Sequence, residues 1–135
     1  MSRIVGLDPG TVRIGVAVSH PLQITAHPHG TLDAGERLEE QLRDLIEEMD
    51  PERIVIGLPL RLDGKEGPAV EAARALAERV AEITGLPVDM HDERFSTVTA
   101  ERVMVSAGVR RQRRKERRDR VAAAVFLQSY LDARR

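Results

Sequence analysis

The chain has 135 residues and a mass of 15.0 kDa, which is the usual size of a single domain, and we expect one domain over residues 1–135. Aromatic residues make up only 2% of it, which disfavours single-strand binding by stacking of bases on aromatic side chains. The lack of cysteine excludes disulfides and cysteine-ligated metal sites, and the longest apolar run, residues 121–127, is too short to cross a bilayer. The first residues enter a predicted strand with no signal peptide, so we expect a cytoplasmic protein.

Charge is distributed unevenly along the chain. The formal net charge is −1, yet residues 110–120 contain eight basic and two acidic side chains and the remainder of the chain sums to −7. A basic segment of this density is either a solvated helix face or a phosphate-binding surface.

Two strand-like runs, residues 3–7 and 13–19, flank a short polar break at the start of the chain. In that break Pro9 fixes its own φ and Gly10 can adopt a positive φ, so the two runs are predicted to form an antiparallel hairpin. The hairpin would hold Asp8 at the C-terminal end of the first strand, on the rim of a sheet. Taken alone, this stretch favours the simpler interpretation, in which Asp8 stabilises the turn.

The later elements follow from hydrophobic periodicity and from helix start and stop signals. Asp33, with Glu36 three residues later, has the spacing of a helix N-cap. The predicted elements are a strand at 27–32, a helix with an apolar stripe from Leu38 to Met49, a strand at 53–57, a helix from Pro68 to Gly85, a strand at 88–91, a helix from Ser96 or Thr97 towards Gly108, and a final helix containing Asp119. This order predicts an α/β fold with a mixed five-stranded sheet flanked by helices.

Three carboxylates are predicted to converge on one edge of that sheet. If the first, fourth and fifth strands are parallel, Asp8 and Glu93 both lie at carboxyl ends, where open α/β sheets bind ligands. Asp119 shares a helix face with the mostly apolar positions 122, 123, 126 and 130, so it should point towards the sheet. Clustered carboxylates repel one another unless a cation lies between them, and ligation by oxygen alone suits Mg²⁺ or Mn²⁺. Two such ions can promote hydrolysis of a phosphodiester.

Four motifs in order also resemble those of the YqgF (RuvX) family, over Ile4 to Leu131. They are Asp8-Pro-Gly-Thr with Gly15-Val-Ala-Val, Gly57-Leu-Pro-Leu followed by Asp63-Gly64, His91-Asp-Glu-Arg-Phe-Ser-Thr97, and Lys115-x-Arg117-x-Asp119 before Ala122-Ala123. The resemblance implies an RNase H-like fold. It also implies a nuclease, described in that family as maturing the 5′ end of the 16S rRNA precursor or as resolving Holliday junctions.

The resemblance further implies roles for individual residues. Asp8, Glu93 and Asp119 would be catalytic and bind two Mg²⁺ or Mn²⁺ ions, with Asp8 between them. Arg94, Lys115 and Arg117 would bind substrate phosphate. Structured RNA, within a ribosomal particle, is the first choice of partner and branched DNA the second. Symmetrical cleavage of a junction would require a homodimer.

Several alternatives stay open at this point. His27 and His29 could be a metal pair, but polar residues on a strand are the more frequent explanation of such a pair. His91 lies two residues before Glu93 and could either tune that site or simply pack. The phosphate loop of actin-like ATPases also resembles the first motif, but those proteins need a second lobe. A nucleic-acid-binding domain without catalytic activity is the remaining alternative, and it predicts loss of the three carboxylates, all of which are present.

Overall fold

The computed structural model describes residues 2–10, 13–58, 67–92 and 111–134, with the backbone alone for 111–120. Within these ranges the chain forms five strands and three helices. They are β1 (Ile4–Pro9), β2 (Arg13–Ser19), β3 (Ala26–Asp33), α1 (Leu38–Met49), β4 (Arg53–Leu58), α2 (Pro68–Thr84), β5 (Val88–Asp92) and α3 (Arg111–Ala133). The helix predicted from Ser96 or Thr97 lies outside the described residues.

The strands form one mixed sheet in the order β3-β2-β1-β4-β5. The strands β1, β2 and β3 pair antiparallel, whereas β1, β4 and β5 run parallel. The predicted hairpin and parallel strands are therefore confirmed, although β1 continues two residues further than predicted. Asp8 pairs with Gly15, which places it at the carboxyl end of a central strand.

Each face of the sheet is covered by helices, because the central strands are apolar on both sides. Val5 and Leu7 of β1 belong to a buried cluster that includes residues of α1 and α2. Ile4 belongs to a second buried cluster, in which Phe126 and Leu127 of α3 pack on the opposite face. Both clusters consist mainly of aliphatic side chains, in keeping with an aromatic content of only 2%.

The ends of α1 and α2 test the capping predictions. Pro68 occupies the first turn of α2, and Gly85 ends that helix with a φ of 70°, both as expected. The predicted N-cap at Asp33 is wrong, because Asp33 pairs with Arg13 as the last residue of β3. The N-cap residue of α1 is Arg37, which makes no side-chain capping hydrogen bond. Pairing with β2 therefore prevailed over the local capping pattern.

The glycine in the β1–β2 hairpin is required for a different reason from the one predicted. Gly10 does not adopt a positive φ. A Cβ at this position would lie 2.4 Å from the carbonyl oxygen of Arg13, well inside van der Waals contact. Close approach of the two sides of the hairpin therefore requires a glycine immediately beyond Asp8 and Pro9.

A second glycine sets the distance between α3 and the sheet. A Cβ on Gly6 would lie 3.1 Å from Cβ of Leu127, an atom that cannot rotate away. Gly6→Ala is expected to lower the free energy of unfolding by about 1–3 kcal/mol through overpacking, measured by urea titration. Gly30→Ala is the matched control, since nothing lies within 4 Å of its added methyl group. Equal effects of the two substitutions would contradict this account of the packing.

Candidate active site

Asp8 faces the layer of the protein formed by α3. Successive residues of a strand point to opposite faces, and Ile4 and Gly6 of β1 lie against α3. Asp8, two residues beyond Gly6, therefore points to the same face and is half-buried. The helix that carries Asp119 thus covers the face on which Asp8 projects.

A row of three residues crosses the carboxyl edge of the sheet at the level of Asp8. The β1–β4 pairing ends with Leu7 opposite Ile56, so Gly57 is the next residue beside Asp8, and Gly57 pairs in turn with His91 of β5. Because Gly57 has no side chain, the residue next to Asp8 in this row contributes only backbone.

The chemistry of this position fits a hard divalent cation. Asp8 offers carboxylate oxygens, which Mg²⁺ and Mn²⁺ prefer, beside a neighbour that contributes no apolar group. The described residues contain no group of three metal-binding side chains. Glu93 lies outside the described residues, as does the side chain of Asp119. Asp8 is thus the one predicted ligand whose side chain the structure describes.

The side chains of β5 alternate between the two faces of the sheet. Asp89 and His91 contact residues of α3, whereas Val88 and Met90 pack with the cluster on the opposite face. The same alternation places Asp92 on the face of the sheet opposite α3. Glu93 and Arg94 follow directly after the end of β5, outside the described residues.

The face of α3 predicted to point inward is confirmed by its buried positions, which are Ala122, Ala123, Phe126 and Tyr130. Near the C-terminal end of α3, Tyr130 contacts Asp89, the second residue of β5, and Gln128 contacts Ala26, the first residue of β3. The opposite end of the helix therefore extends towards the carboxyl edge, where Asp8 lies. Asp119 is one helical turn before Ala123. The side chains of Asp119, Lys115 and Arg117 lie outside the described part.

A polar cluster that the sequence analysis missed joins β4, β5 and α3. Arg53 Nη1 and Tyr130 Oη each donate to Asp89 Oδ2 at 2.5 Å. The hydrogen bond from Tyr130 and the contact with Arg53 lower the pKa of Asp89. Burial and the bond to Asp89 raise the pKa of Tyr130. The available signal was Tyr130 on a buried helix face, since a buried tyrosine hydroxyl usually has a hydrogen-bond partner.

His91 lies against α3. Its Nε2 is 3.1 Å from Ser129 Oγ, and its ring meets the ring of Tyr130 edge to face at 5.5 Å between centroids. Burial lowers the pKa of His91, and the negative charge of Asp92 opposes that shift. These contacts give His91 a packing role, and any influence on Glu93 stays a prediction.

The other two histidines singled out in the sequence, His27 and His29, are exposed on the edge strand β3. His27 Nε2 lies 3.1 Å from Thr25 Oγ1, on the residue just before the strand begins. Both therefore lie at a different edge of the sheet from Asp8.

Comparison with solved structures identifies the fold. RuvC of T. thermophilus in complex with a Holliday junction substrate has a TM-score of 0.60 at 18% identity, covering 99% of this chain and 96% of that one. The Fowlpox virus resolvase in complex with Holliday junction DNA has a TM-score of 0.59 at 10% identity, covering 97% of each chain. The fold is therefore RNase H-like, as predicted.

Among the helices that the structure describes, none has the length and the apolar character of a membrane span.

Comparison of sequences identifies closer relatives. A protein of Lactococcus lactis subsp. lactis is 46% identical, over 98% of this chain and 95% of its own length. One from Streptococcus sanguinis is 44% identical, over 96% of this chain and 97% of its own length. Both are provisionally named pre-16S rRNA nucleases. The model of the family described as "RuvX: Holliday junction resolvase" matches residues 2–133. The chain therefore belongs to the RuvX family.

Proposed function

We propose that this nuclease hydrolyses phosphodiester bonds at the carboxyl edge of its sheet, with Asp8, Glu93 and Asp119 as its catalytic, metal-binding residues. The observation that supports this most is the placement of Asp8, half-buried at the end of a central parallel strand and facing the α3 layer. Glu93 follows the last residue of β5, and Asp119 precedes the buried face of α3 by one turn.

Two Mg²⁺ or Mn²⁺ ions, when bound, would activate a water molecule and stabilise the leaving oxygen. The protein's part is to hold three carboxylates close together, an arrangement that is unfavourable without cations: two of them about 4 Å apart repel by about 4 kcal/mol at an effective dielectric constant near 20. Asp8, Glu93 and Asp119 would together hold the ions, with Asp8 as the central ligand.

The basic residues around this centre would hold the polyanionic substrate. Arg94 directly follows Glu93 in the sequence, and Lys115 and Arg117 lie in the helical segment just before Asp119. That segment belongs to the run 110–120 with its eight basic side chains. Acidic groups at the centre and basic groups beside them allow one site to bind both cations and phosphates.

The 16S rRNA precursor is the substrate that we favour. The curated relatives that match this chain at 44–46% identity along nearly their whole length carry that name. A substrate of this kind would be met in the cytoplasm, as structured RNA within a ribosomal particle. A Holliday junction is the second candidate, because the family description names it and the structurally similar RuvC binds one. That second activity would require two active sites, hence a homodimer.

A cleavage panel distinguishes these candidates. The purified protein is incubated with Mg²⁺ or Mn²⁺ and a precursor 16S rRNA 5′ fragment, a linear RNA, a duplex DNA or a four-way DNA junction. We expect cleavage of the rRNA precursor and loss of that cleavage in excess EDTA. Cleavage confined to the junction would transfer the function to the resolvase. If the protein binds these substrates but cleaves none of them, the alternative of a nucleic-acid-binding domain without catalytic activity would be favoured.

A further inference from the structure

Among the described residues, β5, which Glu93 follows in the sequence, and α3, which contains Asp119, have little apolar contact with each other. The buried cluster beneath α3 draws its strand residues from β1, β2 and β4, namely Ile4, Ala17 and Val55. The apolar residues of β5, Val88 and Met90, pack on the opposite face of the sheet. In the described part of the chain, β5 and α3 are therefore joined mainly through polar side chains.

Those side chains form what we call the polar clasp, defined as Arg53, Asp89, His91, Ser129 and Tyr130. Asp89 accepts hydrogen bonds from both Arg53 and Tyr130. His91, two residues further along β5 towards the carboxyl edge, contacts the hydroxyl of Ser129. The guanidinium of Arg134 also lies 5.4 Å from the centre of the Tyr130 ring. The clasp thus links β4, β5 and the C-terminal half of α3.

Solvent exposure limits what the clasp contributes to folding. The side chains of Arg53 and Asp89 are 28% and 40% exposed, respectively. Ion pairs with this degree of contact with water typically stabilise a protein only slightly. By contrast, two short hydrogen bonds donated to the same carboxylate oxygen fix the orientation of the groups that they join. The clasp is therefore better suited to fixing a geometry than to holding the fold together.

We propose that the polar clasp positions the metal-binding carboxylates, with Asp89 and Tyr130 as positioning residues that set how β5 lies against α3. This inference rests on the proposed function. Tyr130 is 11 residues beyond Asp119, about 16 Å along a helix. If α3 tilted by about 5° about Tyr130, Asp119 would move by about 1.4 Å over that length of helix. A site of this kind must hold its groups within about 0.5 Å.

The test measures Mn²⁺ affinity separately from stability. Tyr130→Phe keeps the aromatic ring beside His91 and removes only the hydroxyl group, which donates a hydrogen bond to Asp89. We expect the Kd for Mn²⁺, measured by calorimetry, to rise by about tenfold, in the range typical of residues that orient metal ligands. The melting temperature in EDTA should change little. Asp89→Asn, which keeps an acceptor oxygen, should retain more affinity than Asp89→Ala.

Gln128→Ala is the matched control, because Gln128 lies on the same helix but anchors it to the opposite edge of the sheet. Its side chain accepts from the backbone N–H of Ala26 and donates to the carbonyl of Ile24. If the polar clasp positions the carboxylates as proposed, the Kd for Mn²⁺ should be unchanged in this variant. Wild-type affinity in Tyr130→Phe, or an equal loss in Gln128→Ala, would overturn the proposal while leaving the metal site intact. Absence of Mn²⁺ binding by the wild-type protein would refute the proposed site itself, and the clasp's role with it.

Discussion

Asp8→Asn is expected to lower the rate of phosphodiester cleavage on the order of 10³-fold, comparable to the loss of a key charge-stabilising group in other enzymes. The substitution removes the charge of the carboxylate that would be the central ligand of the ions but keeps the size of the side chain. Asp8 lies at the end of β1, paired with Gly15 through the backbone, so the fold should be retained. Initial rates on the preferred substrate at saturating Mg²⁺ or Mn²⁺ provide the measurement.

Asp92→Asn is the appropriate comparison, since Asp92 also ends a parallel strand at the same edge but alternates to the other face of the sheet. Its cleavage rate should stay within a few-fold of wild type, with circular dichroism confirming that both variants are folded. Loss of activity in Asp92→Asn with activity kept in Asp8→Asn would contradict the proposal, because it would place the chemistry on the face of the sheet opposite α3.

Phe126→Ala is expected to have the largest effect on stability, lowering the free energy of unfolding by about 3–5 kcal/mol. Phe126 is completely buried and is the largest of the fully buried side chains in the cluster between α3 and the sheet. Its removal leaves a cavity that aliphatic neighbours such as Ile4 and Leu127 cannot fill completely. Since small domains are stable by only about 5–15 kcal/mol, this is a large share of the total. Urea unfolding followed by circular dichroism measures the change.

Phe126→Leu separates the loss of volume from a general intolerance of substitution at this position. It retains most of the apolar volume and should lower the free energy of unfolding by less than about 1.5–2 kcal/mol. The m value, the slope of that free energy with urea concentration, should not change. A loss as large as that of Phe126→Ala would indicate that the shape of the ring, rather than its volume, determines the packing of α3.

Much of the fold could be predicted because its signals are local. The apolar runs of β1 and β4, the stripe that begins at Leu38 and the stop at Gly85 each depend on a few neighbouring residues. The same local logic failed at Asp33, where pairing with Arg13 extends the strand through the expected cap. Local patterns identify an element more reliably than they identify its ends.

The candidate site could be predicted less completely, because its parts come from distant positions. The position of Asp8 followed from the hairpin and the parallel order of the strands. The contact between Asp89 and Tyr130 spans 41 positions and depends on where α3 crosses β5. No spacing rule links such a pair, although a lone tyrosine on a buried helix face indicates that some partner exists.

Direct titration of Mn²⁺ into the wild-type protein and Asp8→Asn tests the central claim that a divalent cation binds at Asp8. Calorimetry in chelator-treated buffer separates binding from catalysis and needs no substrate. We predict saturable binding by the wild-type protein, an increase of its melting temperature with occupancy, and loss of both effects in Asp8→Asn. Equal binding and equal shifts of melting temperature in the two proteins would contradict the claim.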